Sequence, residues 1–324
     1  MSWHSHYVPP QMTLWQGRDD APPHAYYFQY AKPLDLQHIQ QSDMQGFALI
    51  GFSCDSGIRR NKGRAGAAEG PSMIRKVLAS LSVHHQNLIL YDAGDIICTD
   101  DDLENAQLAL AEAISILHQH QLVPIVLGGG HELAFGHYQG LQKIYPHEVI
   151  GMINFDAHFD MRPLLPAQKG SSGTPFLQIA ERCKANNLPF HYYCFGIQHA
   201  SNTRELFETA KQYNVKFVTA TEFYENNMDQ INQLIDDALS SNQHLYLSLC
   251  LDVFAQNVAP GVSAPQAFGL TPWQVLPMIR TFASSGKILS YDIAELSPRY
   301  DIDNRTAKLA AGFVAEIIQH HVQG

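Results

Sequence analysis

The sequence predicts an α/β protein built on a mostly parallel, roughly eight-stranded sheet, and three observations carry that expectation. Short apolar runs recur from residue 47 onward, at 47–52, 88–91, 123–127, 149–154, 191–197, 215–219, 244–251 and 287–293. Helical stretches with legible starts lie between several of them: Asp102 precedes LENAQLALAEAISIL, and Thr271-Pro272 opens WQVLPMIRTF. A capping side chain and a proline in the first turn both mark helix N-termini. The residues richest in chemistry sit just after the runs, as at Asp55 to Arg64, Gly128 to Glu132, Asp156 to Asp160, Gln198 to Asn202, Asp252 and Glu295. Strands alternating with helices make a parallel sheet covered on both faces, with function at the carboxyl ends of the strands. Closure into a barrel and an open doubly wound sheet both fit this pattern.

Length and composition narrow the field. A chain of 324 residues can be one large α/β domain spanning 1–324 or two ordinary ones, is long enough to bury a substantial core, and carries nothing that marks a clear linker. Residues 1–45 carry Trp3, Tyr7, Trp15, Tyr26, Tyr27, Phe28 and Tyr30 without clear periodicity, and read as an extension packed on that domain. With 31 acidic against 21 basic residues the protein is acidic, which argues against nucleic acid and against an anionic membrane surface. The cysteines at 54, 98, 183, 194 and 250 show no paired spacing, so a reducing, cytoplasmic setting is expected. The N-terminus has no basic segment followed by an apolar core, and no run approaches membrane-spanning length.

The most informative stretch is Gly151 to Asp160, where Asp156, His158 and Asp160 leave an apolar run at alternating positions. In extended backbone, residues two apart point to one side, so two carboxylates and an imidazole converge just past the strand end. Such a donor set suits a divalent ion of the Mn, Zn and Fe group, and its oxygen majority leans toward Mn. Gly128-Gly-Gly-His131-Glu132 follows another run, its glycines permitting close backbone approach to a ligand, and makes His131 a further donor. Ser248-Leu-Cys250-Leu-Asp252 repeats the period-two spacing, placing a soft sulfur and a hard carboxylate on one side. Cys250 also fits a plain reading as a small buried hydrophobe.

Gly-Gly-x-His, Asp-x-His-x-Asp and Ser-x-x-x-Asp in this order resemble the signature motifs of the ureohydrolase family, which includes arginases, agmatinases and formimidoylglutamases. The likeness is greatest to the formimidoylglutamase branch, through Asp55-Ser-Gly-Ile-Arg-Arg-Asn61-Lys-Gly-Arg64, Trp15-Gln-Gly-Arg18, Ser172-Gly-Thr-Pro-Phe, Gly196-Ile-Gln-His-Ala-Ser-Asn202 and Ala259-Pro-Gly-Val-Ser-Ala-Pro265. The resemblance implies an open three-layer α/β/α fold and one or two Mn2+ ions per subunit. Its implied metal ligands are His131, Asp156, His158, Asp160 and Asp252, with Cys250 a doubtful sixth. It further implies a trimeric or hexameric assembly and hydrolysis of N-formimidoyl-L-glutamate to L-glutamate and formamide in histidine degradation. Glu295 matches the acid that receives the planar nitrogen group of the substrate. Asp160 is the implied proton carrier, and Asn61, Arg64, Ser172 and Asn202 are the expected substrate contacts, with Arg59 and Arg60 adding positive charge to the same loop.

Four positions depart from the arginase pattern. Cys250 stands where a bridging Asp is usual, Gly130 and Glu132 flank the first-motif His, and Ser172 replaces a proton-shuttling His. These departures keep two other readings open: a different ureohydrolase acting on a guanidino or agmatine-like substrate, and a non-catalytic relic of the family.

Overall fold

Each apolar run forms a strand in the computed structural model, which describes residues 3–39, 44–85 and 87–322. The strands are β1 (Tyr7–Val8), β2 (Ala31–Pro33), β3 (Phe47–Ser53), β4 (Leu90–Ile97), β5 (Val123–Gly128), β6 (Ile150–Phe155), β7 (Tyr192–Ile197), β8 (Lys216–Thr219), β9 (His244–Cys250) and β10 (Ile288–Ala294). The helices are α1 (Ser56–Arg60), α2 (Gly70–Ala79), α3 (Leu103–Gln119), α4 (Leu133–Ile144), α5 (Pro175–Ala185), α6 (Arg204–Gln212), α7 (Ala220–Tyr224), α8 (Met228–Ser241), α9 (Pro272–Ala283) and α10 (Arg305–His320).

The sheet is open, not a barrel: its order is β1-β4-β3-β5-β10-β9-β6-β7-β8, with β2 also on β4. Every pairing is parallel except β1 with β4. Burial on both faces explains the continuous apolar character of the runs. In β5, Ile125 and Leu127 enter one core layer while Val126 enters the other, and β6 divides likewise between Ile153 with Phe155 and Ile150 with Met152. Side chains of α2, α8, α9 and α10 cover the first face, and those of α3, α4, α5 and α6 the second, giving three layers. Among the described residues no helix is long and apolar enough to cross a membrane.

The N-terminal segment does more than lie over the domain, because it adds β1 and β2 to the outer flank of β4. Residues 1, 2 and 40–43 of the expected extension lie outside the described residues. The strand expected at 88–91 begins at Leu90 and runs on to Ile97, through two acids that interrupt the apolar pattern. Those acids are tolerated because Arg75 of α2, itself fully buried, reaches Asp92 at 3.0 Å and Asp95 at 2.8 Å. Trp15 donates its indole N–H to Asp92 at 2.7 Å, pinning the N-terminal segment to the same ion pair.

Removing one partner of a buried ion pair leaves uncompensated charge, so Arg75→Ala should lower the unfolding free energy by about 3–5 kcal/mol, as measured by urea titration. Burial also depresses His321 to about 4, and Tyr291 lies 2.8 Å from its Nδ1. A histidine whose pKa falls on folding contributes stability that is complete above its unfolded pKa and is lost as pH drops toward the folded one. The window here runs from about 6.5 to about 4. His321→Asn should therefore reduce acid destabilisation in that window by roughly 1–3 kcal/mol in thermal melts compared across pH.

Candidate metal centre

Four neighbouring strands, β5, β10, β9 and β6, end at one rim in the middle of the sheet. His131 follows β5 by three residues, Glu295 follows β10, Cys250 closes β9 with Asp252 in the turn behind it, and Asp156 to Asp160 follow β6. Parallel register brings groups far apart in sequence together at this rim. Asp160 and Glu295 adopt positive φ, 48° and 75°, where the chain turns sharply off its strand.

The donors form two groups that share Asp156. His131, Asp156 and Cys250 offer ligand atoms all within 4.8 Å of one another, and so do Asp156, His158 and Asp252. Asp156 turns one oxygen to each group: Oδ2 lies 2.9 Å from Nδ1 of His131, and Oδ1 lies 3.3 Å from Nδ1 of His158. Asp160 approaches the same His131 nitrogen at 2.9 Å, and Asp252 lies 3.1 Å from Nδ1 of His158. Asn154 steadies Asp156 at 3.3 Å and donates to the Tyr192 hydroxyl at 2.8 Å, which in turn donates to the Phe159 carbonyl at 3.0 Å.

Nδ1 of His131 makes no hydrogen bond despite two carboxylate oxygens at 2.9 Å. The distances suit an ion pair while the directions do not suit N–H donation, so the three atoms surround a common point instead of pointing along one bond. Oδ1 of Asp252 and Oε2 of Glu295 are likewise buried without partners. Convergent, incompletely paired donors of mixed oxygen, nitrogen and sulfur type fit a divalent cation.

Charge crowding shows in the acids. Burial pushes Asp160 up to about 6, reinforced by the charge of Asp156, and pushes Glu295 up to about 7, reinforced by Asp252. Burial also opposes ionisation of Asp156, yet His131 and His158 outweigh it and hold that carboxyl low. The Cys250 thiol is driven up by burial and by Asp156, Asp252, Glu295 and Asp160. Cys250, Asp160 and Glu295 thus hold their protons to higher pH than usual, and a divalent cation would compete with those protons.

The first-motif glycines serve packing more than ligand approach. A Cβ on Gly129 would sit 2.1 Å from the Cys54 carbonyl, and one on Gly130 would sit 2.0 Å from Oε2 of Glu132. The departures at 130 and 132 are therefore coupled: the buried Glu132, pushed up to about 8 by burial and Glu295, needs the missing side chain at 130. Its Oε1 accepts the Gly57 N–H at 2.8 Å.

A cavity of about 260 Å³ opens above these donors. His131, His158, Asp160, Cys250, Asp252 and Glu295 form its floor, while Asn61 and Ser172, joined at 3.1 Å, stand in its wall. Two expected substrate contacts are placed elsewhere. Arg64 donates to the Pro260 and Val262 carbonyls and lies 4.3 Å over the Tyr300 ring, so its guanidinium braces a loop. Asn202 donates to the Ala157 and Gln198 carbonyls at 2.9 and 2.8 Å and accepts the Phe159 N–H at 3.1 Å, holding the Asp156 to Asp160 turn. Arg59 pairs with Asp55, and Arg60 with Asp101 and Glu104.

The cations that do line the cavity are Lys62 and Arg162. Arg162 extends the alternation of 156, 158 and 160 by one further step, and that signal in the sequence was enough to find it. A Cβ on Gly173 would come within 2.8 Å of Arg162 and 3.1 Å of Asn61, so the glycine keeps room for both. Lys62 follows Asn61 with φ of 62°.

Known proteins agree with this architecture. The arginase family pattern matches residues 45–319. Formimidoylglutamase of Legionella pneumophila strain Lens is 44% identical over 314 residues, covering 97% of this chain and 98% of its own. That of Clostridium tetani is 43% identical, covering 96% and 95%. A crystal structure of Trypanosoma cruzi formiminoglutamase with Mn2+ superposes with a TM-score of 0.78 at 26% identity, covering 88% of this chain and 96% of that one. The chain belongs to the arginase family.

Proposed function

We propose that the chain is a manganese-dependent formimidoylglutamase, hydrolysing N-formimidoyl-L-glutamate to L-glutamate and formamide in histidine degradation. One observation carries the choice within the family: the cavity is acidic at its floor, with Asp160, Asp252 and Glu295, and cationic at its wall, with Lys62 and Arg162. The substrate has the matching polarity, a planar amidinium at one end and two carboxylates at the other. A guanidino substrate with a cationic tail would meet like charge at the wall. The formimidoylglutamase relatives support the same substrate.

His131, Asp156, His158, Asp160 and Asp252 would hold the metal, with the Cys250 sulfur beside the His131 group. The oxygen and nitrogen majority favours Mn2+. When bound, divalent ions lower the pKa of water toward ~7 and so supply a nucleophile at neutral pH. Glu295 accepts the backbone N–H of His131 through Oε1 at 3.0 Å, which leaves Oε2 to hold the amidinium by a charge-assisted hydrogen bond. Asp160, on the cavity floor, takes the proton given up by the attacking water and passes it to the departing glutamate nitrogen as the bond to the formimidoyl carbon breaks. Asn61 and Ser172 orient the substrate from the wall, and Arg162 takes a carboxylate in its planar fork. With Cys250 inside the donor set and the other donors convergent, the arrangement favours an enzyme over a relic. We also place the protein in the cytoplasm as a homo-oligomer, the trimer or hexamer implied by the family resemblance, formed from one domain spanning 1–324.

Formamide and urea release should be compared on N-formimidoyl-glutamate, arginine and agmatine in the presence of Mn2+. Formamide from the first is the expected product, and preferred urea release from either of the others would overturn the assignment. Arg162→Met should raise KM by about 10–100-fold with a smaller change in kcat, the size of one lost charge-assisted contact. Asp156→Asn should weaken Mn2+ binding by at least about 100-fold in calorimetric titration, because both donor groups lose their shared member.

A further inference from the structure

The metal-facing donors stand at strand ends, whereas the cavity wall is made by two loops. Asn61 and Lys62 follow the short helix α1, while Arg162 and Ser172 flank an excursion whose residues 166–169 are exposed. Loops place side chains less precisely than strands or helices do, so a wall of this kind needs a tie of its own. Arg60, the last residue of α1 and the neighbour of Asn61, supplies one. Nη1 donates to Oε1 of Glu104 at 2.7 Å and to the Gly170 carbonyl at 3.1 Å. Nη2 donates to the Asp101 carbonyl at 2.8 Å and to Oε2 of Glu104 at 3.2 Å, and Nε donates to Oδ2 of Asp101 at 3.3 Å. A guanidinium has five N–H donors, and these bonds engage all of them. Arg60 therefore keeps no donor for a substrate carboxylate, although it adjoins the cavity wall.

Glu104 closes the arrangement, because its Oε1 also accepts the Gly170 N–H at 3.2 Å. Gly170 is thus held by both its N–H and its carbonyl, through one ion pair whose acid stands in the first turn of α3. This is where the exposed excursion returns to the protein, and residues 170–174 are buried. Two further bonds carry the placement into the cavity. The Asn61 side-chain amide donates to Oγ of Ser172 at 3.1 Å, and the Gly173 carbonyl accepts the backbone N–H of Arg162 at 2.8 Å. Asn61, Ser172 and Arg162 therefore take their spacing from the point at which Arg60 and Glu104 grip the chain.

We infer that Arg60 and Glu104 are positioning residues for the carboxylate end of the substrate, a latch that clamps Gly170 to the end of α1 and so sets Asn61, Ser172 and Arg162 across the cavity. The inference rests on the formimidoylglutamase reading above, which puts a carboxylate at this wall. Neither residue lines the cavity. The side chain of Arg60 is 9% exposed and that of Glu104 42%, and an ion pair with one member so open to water adds little to stability. Its effect belongs in substrate binding, where a small displacement of a contact is costly.

Steady-state kinetics with Mn2+ test the latch on two substrates, N-formimidoyl-glutamate and an N-formimidoyl alkylamine that has no carboxylate. Arg60→Met and Glu104→Ala should each raise KM for the first by about 5–30-fold with kcat within about twofold of the parent. For the second, kcat/KM should stay at the parent value, which a general loosening of the fold would not allow. Arg60→Lys keeps the charge but offers three donors without the planar fork, so it should behave like Arg60→Met. In an Arg162→Met background Glu104→Ala should have a much smaller effect than in the parent, because both changes act on one contact. Should Arg60→Met fail to fold, Glu104→Ala, on a half-exposed helical turn, carries the test. A parent-like KM in Glu104→Ala overturns the inference, as does an equal loss on the carboxylate-free amidine, and both leave the formimidoylglutamase reading intact. A parent that releases no formamide from N-formimidoyl-glutamate sinks that reading and the latch with it.

Discussion

The arrangement depends on a surplus of buried negative charge that has to be balanced at one point. Asp156, Asp160, Asp252 and Glu295 crowd the rim of the central strands, with Glu132 close behind. Like charges withdrawn from water repel strongly, and protons or a cation are the ways to relieve them. Without a metal the strain is met by proton uptake, seen in the upward displacement of Asp160, Asp252, Glu295 and Glu132. In the proposed metal reading Asp156, Asp160 and Asp252 would serve as ligands, and each oxygen of Asp156 already faces a different histidine.

Sheet topology makes such crowding attainable. β5, β10, β9 and β6 are neighbours in space though far apart along the chain, and parallel register delivers their carboxyl ends to one rim. The cavity then inherits a gradient from acidic floor to cationic wall. A cationic amidine and an anionic tail fit opposite ends of that gradient.

Much of this was legible in the residues. The apolar runs predict the strands because two-sided burial keeps most of their positions apolar, and period-two spacing predicts the shared direction of Asp156, His158 and Asp160. Where reading failed, tertiary partners decided. β4 runs on through Asp92 and Asp95 because Arg75 neutralises them from a helix, which no local pattern announces. Arg64 looked available for a substrate carboxylate, but carbonyls from residues 260 and 262 and the Tyr300 ring engage it. Arg162 continues the alternation of 156, 158 and 160 by one step, so its place in the cavity wall is legible in the spacing. The open sheet, as against a barrel, came from family likeness and the pairing order, not from periodicity.

The borders of the sheet bear on how copies of the chain can meet. The outer flank of β4 is occupied along its length, by β2 in its first half and β1 in its second, so no free ladder of amides and carbonyls remains there. The opposite border is β8, only four residues long and opened by Lys216, a poor template for adding another strand. Among the described residues, self-association by continuing the sheet from one molecule into the next is therefore disfavoured at β8 and closed off at β4. Helices and loops are left as the broader surfaces through which copies can meet.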